Sequence, residues 1–184
     1  MITENSAATQ PEERVLVIQR VFDAPRDLVW KAWTEPERMA RWLGPRGFTT
    51  TVLKADFRPG GAYRFHMHSA EGTEHWQQGV YREIVEPERL VSTYEWADAA
   101  GKPTRPETLL TVTFEEDREK TKLTLHQAVF ESVAARDLHN GGWSSTLERL
   151  ADYLAKAREI NAMQRTGGTA PWKIRRNTIG TMGR

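Results

Sequence analysis

The chain has 184 residues, no cysteine, and 26 basic against 25 acidic side chains, for a formal charge of +1. That length suits one domain able to bury a core without metal or cross-links. The missing cysteines exclude a disulfide framework and thiol catalysis, and the near-neutral charge excludes a bulk nucleic-acid binder. The charge is uneven, however. Arg165, Lys173, Arg175, Arg176 and Arg184 give residues 164–184 a charge of +5, which leaves −4 on residues 1–163. No apolar run approaches the ~20 residues that span a bilayer. "MITENSAATQPEER" lacks the apolar centre of a signal peptide. A cytoplasmic protein without membrane insertion is expected.

Residues 1–14 read as a disordered lead-in, 15–163 as the folded domain and 164–184 as a basic tail. "RVLVIQRVF" is a first strand, β-branched and too short for a helix. Pro25 opens a short helix whose apolar face carries Val29, Trp30 and Trp33. "TEPE" from Thr34 to Glu37 fits a capping box for a second short helix. That helix carries Met39, Trp42 and Leu43 and stops at Gly44-Pro45. Six strands are expected near 48–57, 62–69, 74–85, 89–97, 108–116 and 121–130. Short turn or loop sequences such as "RPGG", "AEGT" and "EEDRE" separate them, so an antiparallel meander is the economical topology. A last helix carries a one-sided stripe of Trp143, Leu147, Leu150, Leu154 and Ala157. A single antiparallel sheet must cover its apolar face, and only this helix is long enough. A cavity between the two is a natural place for a small molecule.

Several stretches together resemble the Aha1-like branch of the START/Bet v1 superfamily. They are "FDAPRDLVWKAWTEPERMARWLGP", "DFRPGGAYRFHM", "GVYREIVEPERLVSTYEW", "TLLTVTFEE" with "TKLTLHQ", and "GGWSSTLERLADYL". The match runs in order from about Val15 to Lys156. The implied fold is the α+β helix-grip fold. In it a curved antiparallel sheet, two short helices and a long C-terminal helix enclose a cavity. The branch is named after the C-terminal domain of the Hsp90 ATPase activator, and the wider superfamily binds lipids, polyketides and other apolar ligands.

On such a fold Trp30, Trp33 and Trp42 plug one end of the sheet, and Trp42, just before "LGPRG", is the one expected to line a pocket. Strand parity adds Phe65 and Met67, with Trp76 opposite Met67 across a two-residue turn at Glu71-Gly72. Tyr94 and Trp96 alternate in the same way, and Trp143 and Leu147 complete the set from the long helix. The same turn pairs His68 with His75, with His66 on that face, a nitrogen set that suits zinc. Because Phe65, Met67 and Trp76 claim the inner face, the histidines are expected to face solvent and no metal is expected. A one-residue change in the loop would move His75 to the other face.

No catalytic residue is assigned, since "GGWSSTL" lacks the second glycine of a nucleophile elbow and "RPGG" is turn chemistry. No cofactor is expected. The leading function is binding of a small hydrophobic ligand, a lipid, polyketide or similar metabolite, for sequestration or transport. The alternatives are a co-chaperone or other protein-interaction role and, third, cyclase or hydrolase chemistry on a bound apolar ligand. Residues 1–14 leave no room for the activator's additional N-terminal domain, which weighs against chaperone stimulation. In the tail, Trp172, Ile174 and Ile179 interleave with Lys173, Arg175 and Arg176, a pattern suited to a protein partner if it is not simply solvated. A homodimer is also compatible with the sequence.

Overall fold

The structure, a computed structural model, describes residues 11–165. The lead-in over 1–10 and the tail over 166–184 lie outside the described residues. Pro11–Arg14 form a 3-10 turn, so this part of the expected lead-in is ordered. The Phe130 N–H donates to the Arg14 carbonyl at 3.0 Å, and Arg136 donates to the Glu13 carbonyl at 2.6 Å.

Strand β1 (Leu16–Phe22) buries Leu16, Ile18 and Phe22 and exposes Val17, Gln19 and Val21, the period-2 pattern of a half-buried strand. Helix α1 (Arg26–Thr34) follows Pro25, whose carbonyl accepts from the Leu28 and Val29 N–H groups. The expected capping box is not formed. Thr34 stays in α1 and its hydroxyl donates to the Trp30 carbonyl at 3.0 Å. Helix α2 (Pro36–Trp42) has Glu35 as its N-cap residue, with no side-chain cap bond. Pro36 explains the shift of one residue. It fits the first helical position and drives the residue before it to extended geometry, here φ −88°, ψ 118° at Glu35. Glu35 pairs instead with Arg38.

The remaining strands are β2 (Phe48–Ala55), β3 (Ala62–Ser69), β4 (Glu74–Val85), β5 (Arg89–Ala97), β6 (Thr108–Asp117) and β7 (Lys120–Ala128). They form one seven-stranded antiparallel sheet in the order β1-β7-β6-β5-β4-β3-β2. The expected meander runs from β2 to β7, and β1 closes against β7. The β3–β4 turn departs from expectation. Its register pairs Met67 with His75, His66 with Trp76 and His68 with Glu74. The loop therefore has three residues, 70–72, with Gly72 at φ 86°. A glycine in the left-handed region at the third loop position is the signature of a three-residue hairpin. The one-residue slip sends His75 to the inner face beside Met67 and Trp76 to the outer face beside His66.

Helix α3 (Val133–Arg165) starts ten residues before the expected apolar stripe. Ser132 begins it, its hydroxyl accepting from the Ala135 N–H at 3.1 Å. Leu147, Leu150 and Leu154 lie fully buried in the same core as Trp30, Trp33, Trp42 and Phe114. The Trp33 ring packs edge-on against Phe114 and stacks on Trp143 with centroids 6.0 Å apart. Arg149 of α3 fastens the loop after α2. One of its nitrogens donates to the carbonyls of Leu43, Gly44, Pro45 and Phe48 at 2.8–3.2 Å. A curled seven-stranded antiparallel sheet, two short helices and a long C-terminal helix make the helix-grip fold.

Candidate ligand-binding cavity

The two halves of α3 meet the sheet differently. Its C-terminal half packs solidly, whereas its N-terminal half, from Ala134 to Thr146, stands off and leaves a cavity of about 720 Å³. The opposite wall is the inner face of β3, β4 and β5, and the β5–β6 loop closes one side. A void under the stripe from Trp143 to Leu154 was the expectation. The structure places it at the N-terminal end of that stripe, from Trp143 back to Ala134, where the small residues Ala134, Ala135 and Gly142 face it.

Five of the eight expected pocket residues border this cavity: Met67, Trp76, Tyr94, Trp96 and Trp143. Trp76 does so from the outer-face position, its ring stacked on His66 with centroids 4.8 Å apart. The other three belong to the packed core. Trp42 is 0% exposed, and its indole N–H donates to the Ala32 carbonyl at 2.9 Å. It is plug rather than wall, as are Trp30 and Trp33. Phe65 stacks on Tyr63, and Leu147 is enclosed between helix and sheet. The histidines do not gather. His66 Nε2 donates to the Glu74 carboxylate at 3.2 Å, while His75 packs on the inner face against Phe48 and Trp96. Among the described residues no group of three or more His, Cys, Asp or Glu could hold a metal ion.

Polar groups reach the cavity in a few ordered arrangements. The Trp96 indole, which can only donate, gives its proton to His139 Nε2 at 2.9 Å, so Nδ1 carries the imidazole hydrogen and donates to the Ala135 carbonyl at 2.8 Å. Burial pushes the His139 pKa below the ordinary histidine value, the Ala135 carbonyl partly opposes this, and the residue is neutral. A second chain is saturated from end to end. Trp143 Nε1 donates to Gln127 Oε1 at 2.8 Å, Gln127 Nε2 to Thr108 Oγ1 at 2.8 Å, and that hydroxyl to the Tyr94 carbonyl at 3.1 Å. In a third, Gln77 Nε2 donates to Tyr63 Oη at 2.9 Å, and Tyr63 donates to the Thr93 carbonyl at 2.6 Å. Gly79 makes room for it, since a Cβ there would stand 2.6 Å from Tyr63 Oη and 2.0 Å from the Thr93 oxygen.

Glu74, Glu95, Asp98, Arg105 and Glu131 are the charged residues that border the cavity. Arg105 of the β5–β6 loop pairs with Glu131, just ahead of α3, at 2.9 Å. Leu138 stands at the mouth with 75% of its surface exposed. Of the wall residues that sequence reasoning missed, Gln77 shares a face with Trp96 by register and His75 follows from the three-residue loop. His139 carries no sequence signal, because the first turns of α3 lack an apolar stripe.

The family model for Activator of Hsp90 ATPase homolog 1-like proteins matches residues 23–155. Among solved structures, a Chromobacterium violaceum protein is 30% identical, with a TM-score of 0.69 over 77% of this chain and 96% of its own. An Arthrobacter aurescens protein is 23% identical, with a TM-score of 0.71 over 91% and 96%. The AHSA1 protein of Silicibacter pomeroyi is 20% identical, with a TM-score of 0.71 over 78% and 99%. Among curated proteins none matches this chain.

Proposed function

The chain belongs to the family of Activator of Hsp90 ATPase homolog 1-like proteins, and from that premise we propose that it holds a small hydrophobic molecule in the cavity, for sequestration or transport. The observation that carries this reading is the cavity itself. About 720 Å³ bounded by Met67, Tyr94, Trp96 and Trp143 falls in the range that encloses a molecule of a few hundred daltons. An empty apolar space of that size forfeits packing along its whole lining. Burying about 200 Å² of apolar ligand surface there would contribute roughly 5 kcal/mol, before the costs of association. The wall offers shape and apolar surface, and among the described residues no nucleophile has a base hydrogen-bonded beside it, which favours binding over turnover. The test is native mass spectrometry of the full chain purified from its own host. The expected result is a noncovalent adduct of a few hundred daltons, released by organic solvent. A chain that is consistently empty, yet stimulates the ATPase of an Hsp90 added to it, supports the co-chaperone reading in the family's name.

A further inference from the structure

Two buried glutamines face the space between sheet and helix, and they differ in one respect. Gln127, fully buried, spends both ends of its amide, accepting from Trp143 and donating to Thr108. Gln77, 4% exposed, spends only one. Its orientation follows from chemistry rather than choice. Tyr63 gives its only proton to the Thr93 carbonyl, so its oxygen can only accept, and the amide must turn its nitrogen toward it. Gln77 Oε1 is thereby left without a partner among the described residues, and it is not sealed from the cavity that Gln77 lines. The hydroxyl of Tyr94, a residue 7% exposed, is in the same position, with no hydrogen-bond partner among the described residues and open to the same cavity. Burial raises the Tyr94 pKa, so this oxygen carries its proton and donates. Gln77 and Tyr94 come from neighbouring strands, with Gln77 paired to Trp96 and Tyr94 two residues before it on the same face.

Buried polar groups in folded proteins are nearly always paired. An acceptor and a donor left open on neighbouring strands of one cavity wall are a recognition pair for something that enters. Resting on the cavity-binding reading above, we infer that the ligand is a neutral, mainly apolar molecule carrying a hydroxyl group, an alcohol or phenol, which accepts from Tyr94 and donates to Gln77. A hydroxyl is the smallest group that answers both. A carboxylate would meet the Gln77 carbonyl oxygen without a proton to offer, and an ether or ketone would leave that oxygen unpaired. A pure hydrocarbon would leave both groups desolvated and unsatisfied.

The test uses the full chain and three probes of one shape, 2-naphthol, 2-methoxynaphthalene and naphthalene, titrated by tryptophan fluorescence. The expected order is 2-naphthol tightest, by about tenfold over 2-methoxynaphthalene, the scale of one hydrogen bond's net effect. Tyr94→Phe removes one oxygen and keeps the ring. It should cut the preference of both oxygen-bearing probes over naphthalene severalfold while keeping that of 2-naphthol over 2-methoxynaphthalene, a pattern that a merely structural role would not produce. Gln77→Met should erase most of the preference of 2-naphthol over 2-methoxynaphthalene, and if that variant does not fold, the wild-type series and Tyr94→Phe decide alone. Equal affinity for all three probes in the wild type, or a preference for the oxygen-bearing probes over naphthalene that is unchanged in Tyr94→Phe, overturns the hydroxyl assignment and leaves the cavity reading standing. Failure of every probe to bind overturns the cavity reading, and the assignment with it.

Discussion

His139 is held neutral by its surroundings, and this gives the stability of the fold a pH dependence of known sign. Burial lowers its pKa first, and Arg105 adds to this, against the Ala135 carbonyl and Glu131. As pH falls through about 6.5, an unfolded-state histidine takes up a proton that the folded one refuses. The unfolded state then binds more protons, so stability is lost on acidification and is flat above the ordinary histidine value. Protonation in the fold would also turn Nε2 from acceptor to donor against the Trp96 N–H. We predict that the urea midpoint of the wild type falls more steeply between pH 7.5 and 5.5 than that of His139→Gln, which keeps an acceptor for Trp96. Equal slopes would contradict it. Arg149 makes a different kind of contribution, one guanidinium nitrogen whose two hydrogens are shared among four carbonyls after α2. Arg149→Met keeps the stem and removes the donors. It should cost about 1.5–3 kcal/mol in denaturant melts, the range for bonds to a charged group. A cost near zero would mean that water replaces it freely.

Helix α3 is two things end to end, a packed half and a half that roofs the cavity. Leu150→Ala, in the packed half, should destabilise by about 2–5 kcal/mol because the site is closed on all sides. Gly142→Ala, at the junction, should stabilise by up to about 1 kcal/mol. An added Cβ there meets nothing within 4 Å, and alanine is the better helix former. Opposite signs in the same urea experiment support the division, and destabilisation by Gly142→Ala would contradict it. The stripe from Trp143 to Leu154 made the packed half readable in advance, since four leucine and tryptophan positions at helical spacing admit one face only. The roof was not readable, because "VAARDLHNGG" has no such stripe and its helicity comes from the Ser132 cap and tertiary contact. The same distinction separates the strands, whose alternation was plain, from their register. Register at β3–β4 hung on one residue of loop length, which moved His75 and Trp76 to opposite faces. The plug role of Trp42 was likewise open, for helical phase says that a residue is buried and not whether it meets side chains or a void.

At the scale of the molecule, a sheet with one covering helix and a plug of two short helices leaves an unfilled end under the start of α3. There aromatic side chains of β4, β5 and α3, several of them in contact with one another, border a space. Among the described residues no helix is long and apolar enough to cross a membrane. The claim that this space is a binding site is tested most directly by the indole N–H resonances of the chain's seven tryptophans in nitrogen-labelled protein titrated with 2-naphthol. Trp96 and Trp143 border the cavity, whereas Trp30 and Trp42 lie in the plug. We predict that the Trp96 and Trp143 signals move along one saturating curve while those of Trp30 and Trp42 stay where they are. Movement confined to Trp172, or no movement at saturating probe, would contradict the account.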